Sequence, residues 1–214
     1  MDALQLSPPF TGRWMAVNSP ADRVPSHGTD LFGSTYAIDF VAVDDRRRSA
    51  PWRWSALLVP EPPDRFLGFG APILAPIAGT VALAHDGEAD HEARRSPFTA
   101  VPYLVTQRER VARGAPGVAG NHVVIAATPG GLFVLLAHLQ RGSVRVRVGD
   151  SVRVGDTVAA CGNSGNSTQP HVHVQATDSL DWAAARGVPI SFPSLGEGED
   201  GLPRGRSPFV VPTR

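Results

Sequence analysis

The chain contains no lysine: all 20 of its basic residues are arginine. That absence excludes whole chemistries. A Schiff-base enzyme needs an amine, a phosphate-cradling P-loop needs its Lys, and a biotinyl or lipoyl carrier needs a Lys to modify. Cysteine is almost as scarce. Cys161 stands alone, so no internal disulfide can form and no redox compartment is implied. There is no charge excess either, since 20 acidic residues balance the 20 arginines, which argues against a nucleic-acid binder with its basic stripe. Long apolar runs are missing too. The longest, Leu132 to Ala137, is far too short to span a bilayer. The first nine residues, Met1 to Pro9, carry neither a basic region nor a useful apolar stretch. The expectation is a soluble protein with no membrane insertion and no signal peptide in this chain.

What is present is turn chemistry and short apolar runs. Gly 22 and Pro 20 go with 42% hydrophobic residues in 214, which suggests one turn-rich β domain with a sizeable core. β-Branched runs stand at Tyr36 to Val43, Ile73 to Ala84 (room for two strands), His122 to Ala127 and Leu132 to His138. Others follow at Val144 to Val148, Asp156 to Ala160 and His171 to Ala176. Pro129-Gly130-Gly131 reads as a hairpin turn between two of them. The best helix candidate, Ser179 to Arg186, is short, so the fold class is all-β. Residues 44–70 and 86–120 exceed ordinary connections and read as loop insertions. The tail from Ser191 onward is Pro/Gly-rich and is expected to pack as irregular chain. An echo, Val144 to Asp150 followed by Val152 to Val158, repeats Val-x-Val-Gly-Asp and marks two tight turns around a short strand. It resembles the barrel-like hairpin of biotinyl and lipoyl domains, without the lysine their function requires.

The sharpest chemical signal runs from Gly162 to Val174: a Gly/Asn/Ser loop entering a strand with His171 and His173 at i and i+2. That spacing puts both imidazoles on one face of a strand, roughly 7 Å apart at the backbone, a familiar metal-ligand arrangement. Two surface histidines on a polar sheet face would read the same way. His138 closes the apolar run from Leu132, and Asp39 sits inside Tyr36-Ala37-Ile38-Asp39-Phe40. A carboxylate in such a strand is costly to bury unless it is paired or holds a metal; otherwise it faces solvent. His27 lies in a loop, Pro25-Ser26-His27-Gly28. His85, His91 and Glu92 are expected to face solvent, as is His122. Cys161 reads as a small core residue, and Arg46-Arg47-Arg48 as a solvated turn.

In order, these residues form six blocks over roughly two thirds of the chain: Asp39, Ala75-Pro76-Ile77-Ala78-Gly79-Thr80-Val81, Gly120 to Ile125, Ala137-His138-Leu139, the echo, and Gly162 to His173. They resemble the M23 (lysostaphin/LytM-type) zinc metallopeptidases. The resemblance implies an open antiparallel β-sheet sandwich of the duplicated-hybrid-motif, lipoyl-like kind. It implies a domain over 27–178 between an N-terminal extension, 1–26, and a C-terminal tail, 179–214, packed on it. It implies a Zn2+ held by a His, by Asp39 and by His173, with His138 and His171 flanking the water at the metal's open position. One position departs: the first ligand His normally precedes the Asp by four residues, where this chain has Thr35. His27, twelve residues before Asp39, is the expected substitute. The implied activity is endopeptidase cleavage of bacterial peptidoglycan peptides, in the cell envelope or secreted. A non-catalytic module that binds peptidoglycan or regulates another wall hydrolase is the competing reading, and a histidine phosphocarrier a distant third.

Overall fold

The structure is a computed structural model that describes residues 3–105, 107–112, 114–127, 131–195, 201–205 and 207–213. Its strands, in chain order, are β1 (Leu4–Gln5), β2 (Gly12–Val17), β3 (Ile38–Ala42), β4 (Pro72–Leu74), β5 (Gly79–His85), β6 (Asn121–Ala127) and β7 (Phe133–Leu139). They continue with β8 (Ser151–Val152), β9 (Thr157–Ala160), β10 (Val172–Thr177), β11 (Gly187–Val188), β12 (Ile190–Ser191) and β13 (Pro208–Val211). An antiparallel sheet orders β13-β2-β3-β10-β7-β6-β5-β8, with β11 also on β10. The small pair β4-β9 packs its Ile73, Val158 and Ala159 into the same core. The all-β, open antiparallel expectation therefore holds.

Alternation along the central strands explains the core. Ile38 and Phe40 of β3, Val134 and Leu136 of β7, and Val172 and Val174 of β10 all enter one buried cluster with Trp14, Phe10 and Phe192. Such side chains each contribute about 1.5–3 kcal/mol when taken from water. The aromatic centre is tight: Phe10 stacks on Trp14 at 4.3 Å and meets Phe40 edge-on at 4.9 Å.

Both ends of the chain enter the sheet. Trp14 and Ala16 of β2 are buried in the main core, and Phe209 of β13 packs against it. The tail is thus not irregular throughout: Pro208–Val211 pairs with Gly12–Val17. Pro208 is tolerated there because β13 is an edge strand, where one missing donor breaks no ladder.

The echo folds as two copies of one turn. Asp150 Oδ2 accepts the Arg147 N–H and Asp156 Oδ2 the Arg153 N–H, each at 2.7 Å, and Gly149 and Gly155 take left-handed φ of 94° and 91°. Between them lies β8, while Val144 to Val148 runs as turn and coil rather than strand. The β6-to-β7 turn at 128–130 lies outside the described residues, though the two strands pair antiparallel. Ser179 to Arg186 forms turns, not a helix.

Helices appear instead in the second insertion: α1 (Pro97–Val105), α2 (Gln107–Ala112) and α3 (Ala115–Ala119). The two insertions are locked together. Glu61, buried, accepts from Arg95 Nε at 2.6 Å and Nη2 at 3.0 Å and from Arg65 at 3.2 Å. Arg95 also donates to the Ala50 and Pro51 carbonyls, over a small core of Ala50, Phe66 and Ala93. A buried carboxylate is tolerable because two guanidinium groups satisfy it.

Candidate metal centre and cleft

The odd positions of the same strands face away from the core. Antiparallel pairing sets His173 directly across from Asp39, and His173 also pairs with Ala137 on its other side. His173 Nδ1 lies 2.9 Å from Asp39 Oδ1. His171, two residues earlier on the same face, brings its Nε2 to 3.5 Å from that oxygen.

His138 reaches this face through an irregularity. Between the pairs Asn121↔Leu139 and Val123↔Leu136, β7 has one residue more than β6, so Ala137 and His138 together oppose His122. Strict alternation would send His138 into the core beside Leu136. The bulge, with His138 at φ 61°, turns its ring back over the cleft instead. His138 lies 4.7 Å from His171 and 5.9 Å from His173, ring centre to ring centre. Its Nδ1–H donates to the Ser164 carbonyl at 2.9 Å, which leaves Nε2 for the cleft.

The His27 loop folds back over the end of β3. Ser26 N–H donates to the Thr35 carbonyl at 3.0 Å and Ser26 Oγ to the Ser34 carbonyl at 3.3 Å. Ser26 Oγ also meets His27 Nδ1 at 3.0 Å, so the outward nitrogen is Nε2, 3.0 Å from Asp39 Oδ2. Thr35 turns away: its hydroxyl donates to Asp30 Oδ1 at 3.0 Å. The structure thus brings His27, Asp39 and His173 together, with one potential ligand atom from each and all three within 4.8 Å of one another. His138 and His171 stand beside them.

Electrostatics follow from this crowding. Burial alone would raise the Asp39 pKa, but the His27 and His171 charges and the hydrogen bonds from His171 and His173 outweigh it and hold the carboxyl well below its usual range. Burial, reinforced by His171 and His173, pushes His138 well below an ordinary imidazole. Burial also acts to lower His171, yet Asp39 overcomes it and its pKa is raised.

Several supporting residues carry no signal in a motif scan. Gln175 Oε1 accepts from His173 Nε2 at 2.9 Å, and its own amide donates to the Phe32 carbonyl at 2.9 Å. That fixes His173 as the tautomer whose Nδ1 is free to ligate. Asn18, at the end of β2, donates to Asp39 Oδ2 at 2.9 Å. Ser167 Oγ and the Gln169 carbonyl hold His171 Nδ1 at 3.0 and 2.8 Å. Alternation along β10 could have found Gln175, two residues past His173; nothing local could have found Asn18.

The solvent-facing expectations divide. Glu92 is exposed, and His85 and His91 are half-buried; His91 meets the Gly165 carbonyl at 3.0 Å. His122 is buried rather than exposed, its Nδ1 donating to the Gly120 carbonyl at 2.8 Å under Trp182. Cys161 is a core residue whose thiol burial pushes far up, which makes it inert.

Around the cluster lies a cleft of about 290 Å³. Its apolar wall is Phe32, Leu135 and Trp182 together with Val111, Val118 and Ala119 of the second insertion. That insertion therefore shapes the groove; the first insertion contributes no lining residue.

Residues 102–191 match the family model described as peptidase family M23, a span that includes His138, His171 and His173 and begins after His27 and Asp39. Solved structures similar to this chain include the catalytic domain of the antimicrobial peptidase lysostaphin from Staphylococcus simulans. It is 18% identical, with 74% of this chain and 80% of that one covered and a TM-score of 0.41. A catalytic-domain mutant of the prophage-encoded M23 protein EnpA from Enterococcus faecalis is 20% identical, with 76% and 78% covered and a TM-score of 0.41. The motif order and the matched segment agree, and over residues 102–191 this chain is similar to peptidase family M23.

Proposed function

We propose that the protein is a zinc-dependent endopeptidase that cleaves peptide bonds of bacterial peptidoglycan. The observation that carries this reading is the convergence of His27, Asp39 and His173 at the floor of a cleft, beside two further imidazoles. The donor set fits the metal. Two imidazole nitrogens and one carboxylate oxygen are ordinary zinc ligands, and each histidine has its other nitrogen engaged, by Ser26 or by Gln175. Three protein ligands also leave a position open, as hydrolytic zinc sites require. When bound, zinc would supply a Lewis acid that makes a water nucleophilic near neutral pH.

The chain's own residues do the rest. His138, kept neutral by burial and with Nε2 free, is the proton acceptor beside the nucleophile. His171, favoured in its charged form by Asp39, donates to the negative charge developing on the substrate carbonyl oxygen. Loop 163–169 holds both rings through backbone carbonyls, so neither has to reorganise during reaction. The apolar wall of α2, α3 and Trp182 excludes water from one side and receives the peptide. Such a substrate lies outside the membrane, so the proposed place of action is the cell envelope or the medium.

The test is metal content with peptide hydrolysis. The reading expects one zinc per chain, its loss in Asp39→Ala or His173→Ala, and a His138→Ala protein that keeps zinc but no longer cleaves cross-linked peptidoglycan. A wild-type protein that holds no zinc and takes up none on titration ends the enzymatic reading. One that holds zinc but cleaves no wall peptide ends the substrate assignment.

A further inference from the structure

The two insertions expose apolar side chains far from chance distribution. Among the described residues, eight of the thirteen exposed large hydrophobics lie in 44–70 or 86–120. Trp54 and Leu58 are each 76% exposed, Phe98 73%, and Trp52, Val59 and Val101 half or more. They form one surface. The Trp52 and Trp54 rings meet edge-on at 4.3 Å, and the helical turn Trp54–Leu57 is tied to the start of α1 by Ser96 Oγ donating to the Leu57 carbonyl at 2.8 Å. Phe98 and Val101, three apart, share one side of α1. The Glu61–Arg95–Arg65 cluster, with Arg95 also donating to the Ala50 and Pro51 carbonyls next to Trp52, links the two insertions that carry these side chains. None of these side chains lines the cleft, so the proposed peptidase activity does not account for them.

The charges say what covers them. Residues 46–70 contain five arginines against two acids. Three of the four acids in 44–70 are paired, Asp44 with Arg48 at 2.9 Å, Asp45 with Arg13 at 3.0 Å, and Glu61 with Arg65 and Arg95. That leaves the exposed Asp64 as the one acid of this stretch without an ion pair among the described residues. Arg46, Arg47 and Arg53 are exposed and have no ion pair among the described residues. Arg53 stands between the two tryptophans. Indoles settle at the boundary of headgroups and acyl chains, short aliphatic tips enter just below, and guanidinium groups pair with phosphates above. We propose that this surface docks the protein on an anionic lipid surface. The helices do not span it, since no helix among the described residues is long and apolar enough to cross a membrane. Ser49 Oγ donates to Gln169 at 2.8 Å, so the docked face is one hydrogen bond from the loop that holds His171. Docking would fix the cleft relative to the membrane.

The experiment is sedimentation of the full chain with vesicles of phosphatidylglycerol and phosphatidylcholine, and with phosphatidylcholine alone, read with tryptophan fluorescence. The expected result is binding and a blue shift with the anionic vesicles, weakened by salt. Affinity should fall about fivefold for each of Arg46, Arg47 and Arg53 changed to Ser. Trp52→Ser/Trp54→Ser should remove the blue shift while thermal midpoint and zinc content stay at wild-type values. The proposal is overturned if the anionic vesicles leave the protein in solution, or if the three Arg→Ser variants or Trp52→Ser/Trp54→Ser bind them as well as wild type. It is equally overturned if the surface closes a dimer instead, seen as a concentration-dependent mass that Trp52→Ser/Trp54→Ser abolishes.

Discussion

Strands β3 and β10 turn Ile38, Phe40, Val172 and Val174 to one side of the sheet and Asp39, His173 and Gln175 to the other. The backbone and the hydrogen-bond ladder are common to both sides, and only the side-chain chemistry differs. The apolar face fixes the register, because a slip of one residue would bury Asp39 and His173 in the core and expose four large apolar side chains. That register in turn puts the carboxylate opposite the imidazole. Stability is thus generated on one face and used as positional accuracy on the other.

Two substitutions one residue apart should separate these roles most widely. Phe40→Ala removes a fully buried ring that touches Phe10, Phe192 and Phe209, and should cost about 3–5 kcal/mol in denaturant unfolding of the metal-free protein. Asp39→Ala breaks a buried hydrogen-bond network and should cost about 1–3 kcal/mol in the same measurement yet leave no zinc binding. Equal unfolding penalties would remove the distinction between the faces.

Strand positions on both faces were legible because they repeat every two residues. Asp39 inside an apolar run and His171/His173 at i, i+2 announce a polar face, and the motif order supplied the rest. His138 was legible only through the Ala-His-Leu block, since alternation alone assigns it to the core; the bulge at Ala137 and His138 reverses that assignment. The three helices of the second insertion escaped because they are short and carry prolines inside them, Pro102 in α1 and Pro116 in α3. β2 and β13 escaped because Pro, Gly and Arg mask two strands whose partner is distant in sequence. His27 is expected only as the nearest histidine upstream of Asp39, filling a ligand position that the family resemblance implies, and the hydrogen bonds of Ser26 to residues 34 and 35 give the physical reason it can arrive.

Loop and strand ligands can be compared next. If His27 ligates from its loop, His27→Ala should weaken zinc binding by more than the roughly 10–100-fold typical of losing a residue behind a ligand. Adding Thr35→His should not restore it, because position 35 faces Asp30 rather than Asp39. Recovery of zinc in the double variant would mean that the 31–36 turn can rotate and that the loop is dispensable.

Gln175 tests the cleft face one step further out. Gln175→Leu removes the acceptor at His173 Nε2 and should lower zinc affinity about 10–100-fold in a chelator competition, while Gln175→Glu, which can still accept, should stay near wild type. A leucine variant with wild-type affinity would show that the strand alone orients His173.

The smallest effect concerns His122, on the far side of the bulge from His138. Its pKa is lowered, first by burial and then by His85, whose ring stacks at 5.4 Å, against a raising contribution from the Gly120 carbonyl. The unfolded chain therefore binds this proton more readily than the folded one. His122 costs nothing above its unfolded value of about 6.5; below that it lowers stability progressively until pH passes its folded pKa, after which the loss is constant. His122→Gln, which keeps a donor for the Gly120 carbonyl, removes this linkage. Thermal midpoints measured from pH 7.5 to 5.5 should fall less steeply for the variant than for wild type, with the curves converging above neutrality. Parallel curves would mean that His122 takes up its proton in the folded state as easily as in the unfolded one, and that the bulge places no burden on the strand opposite it.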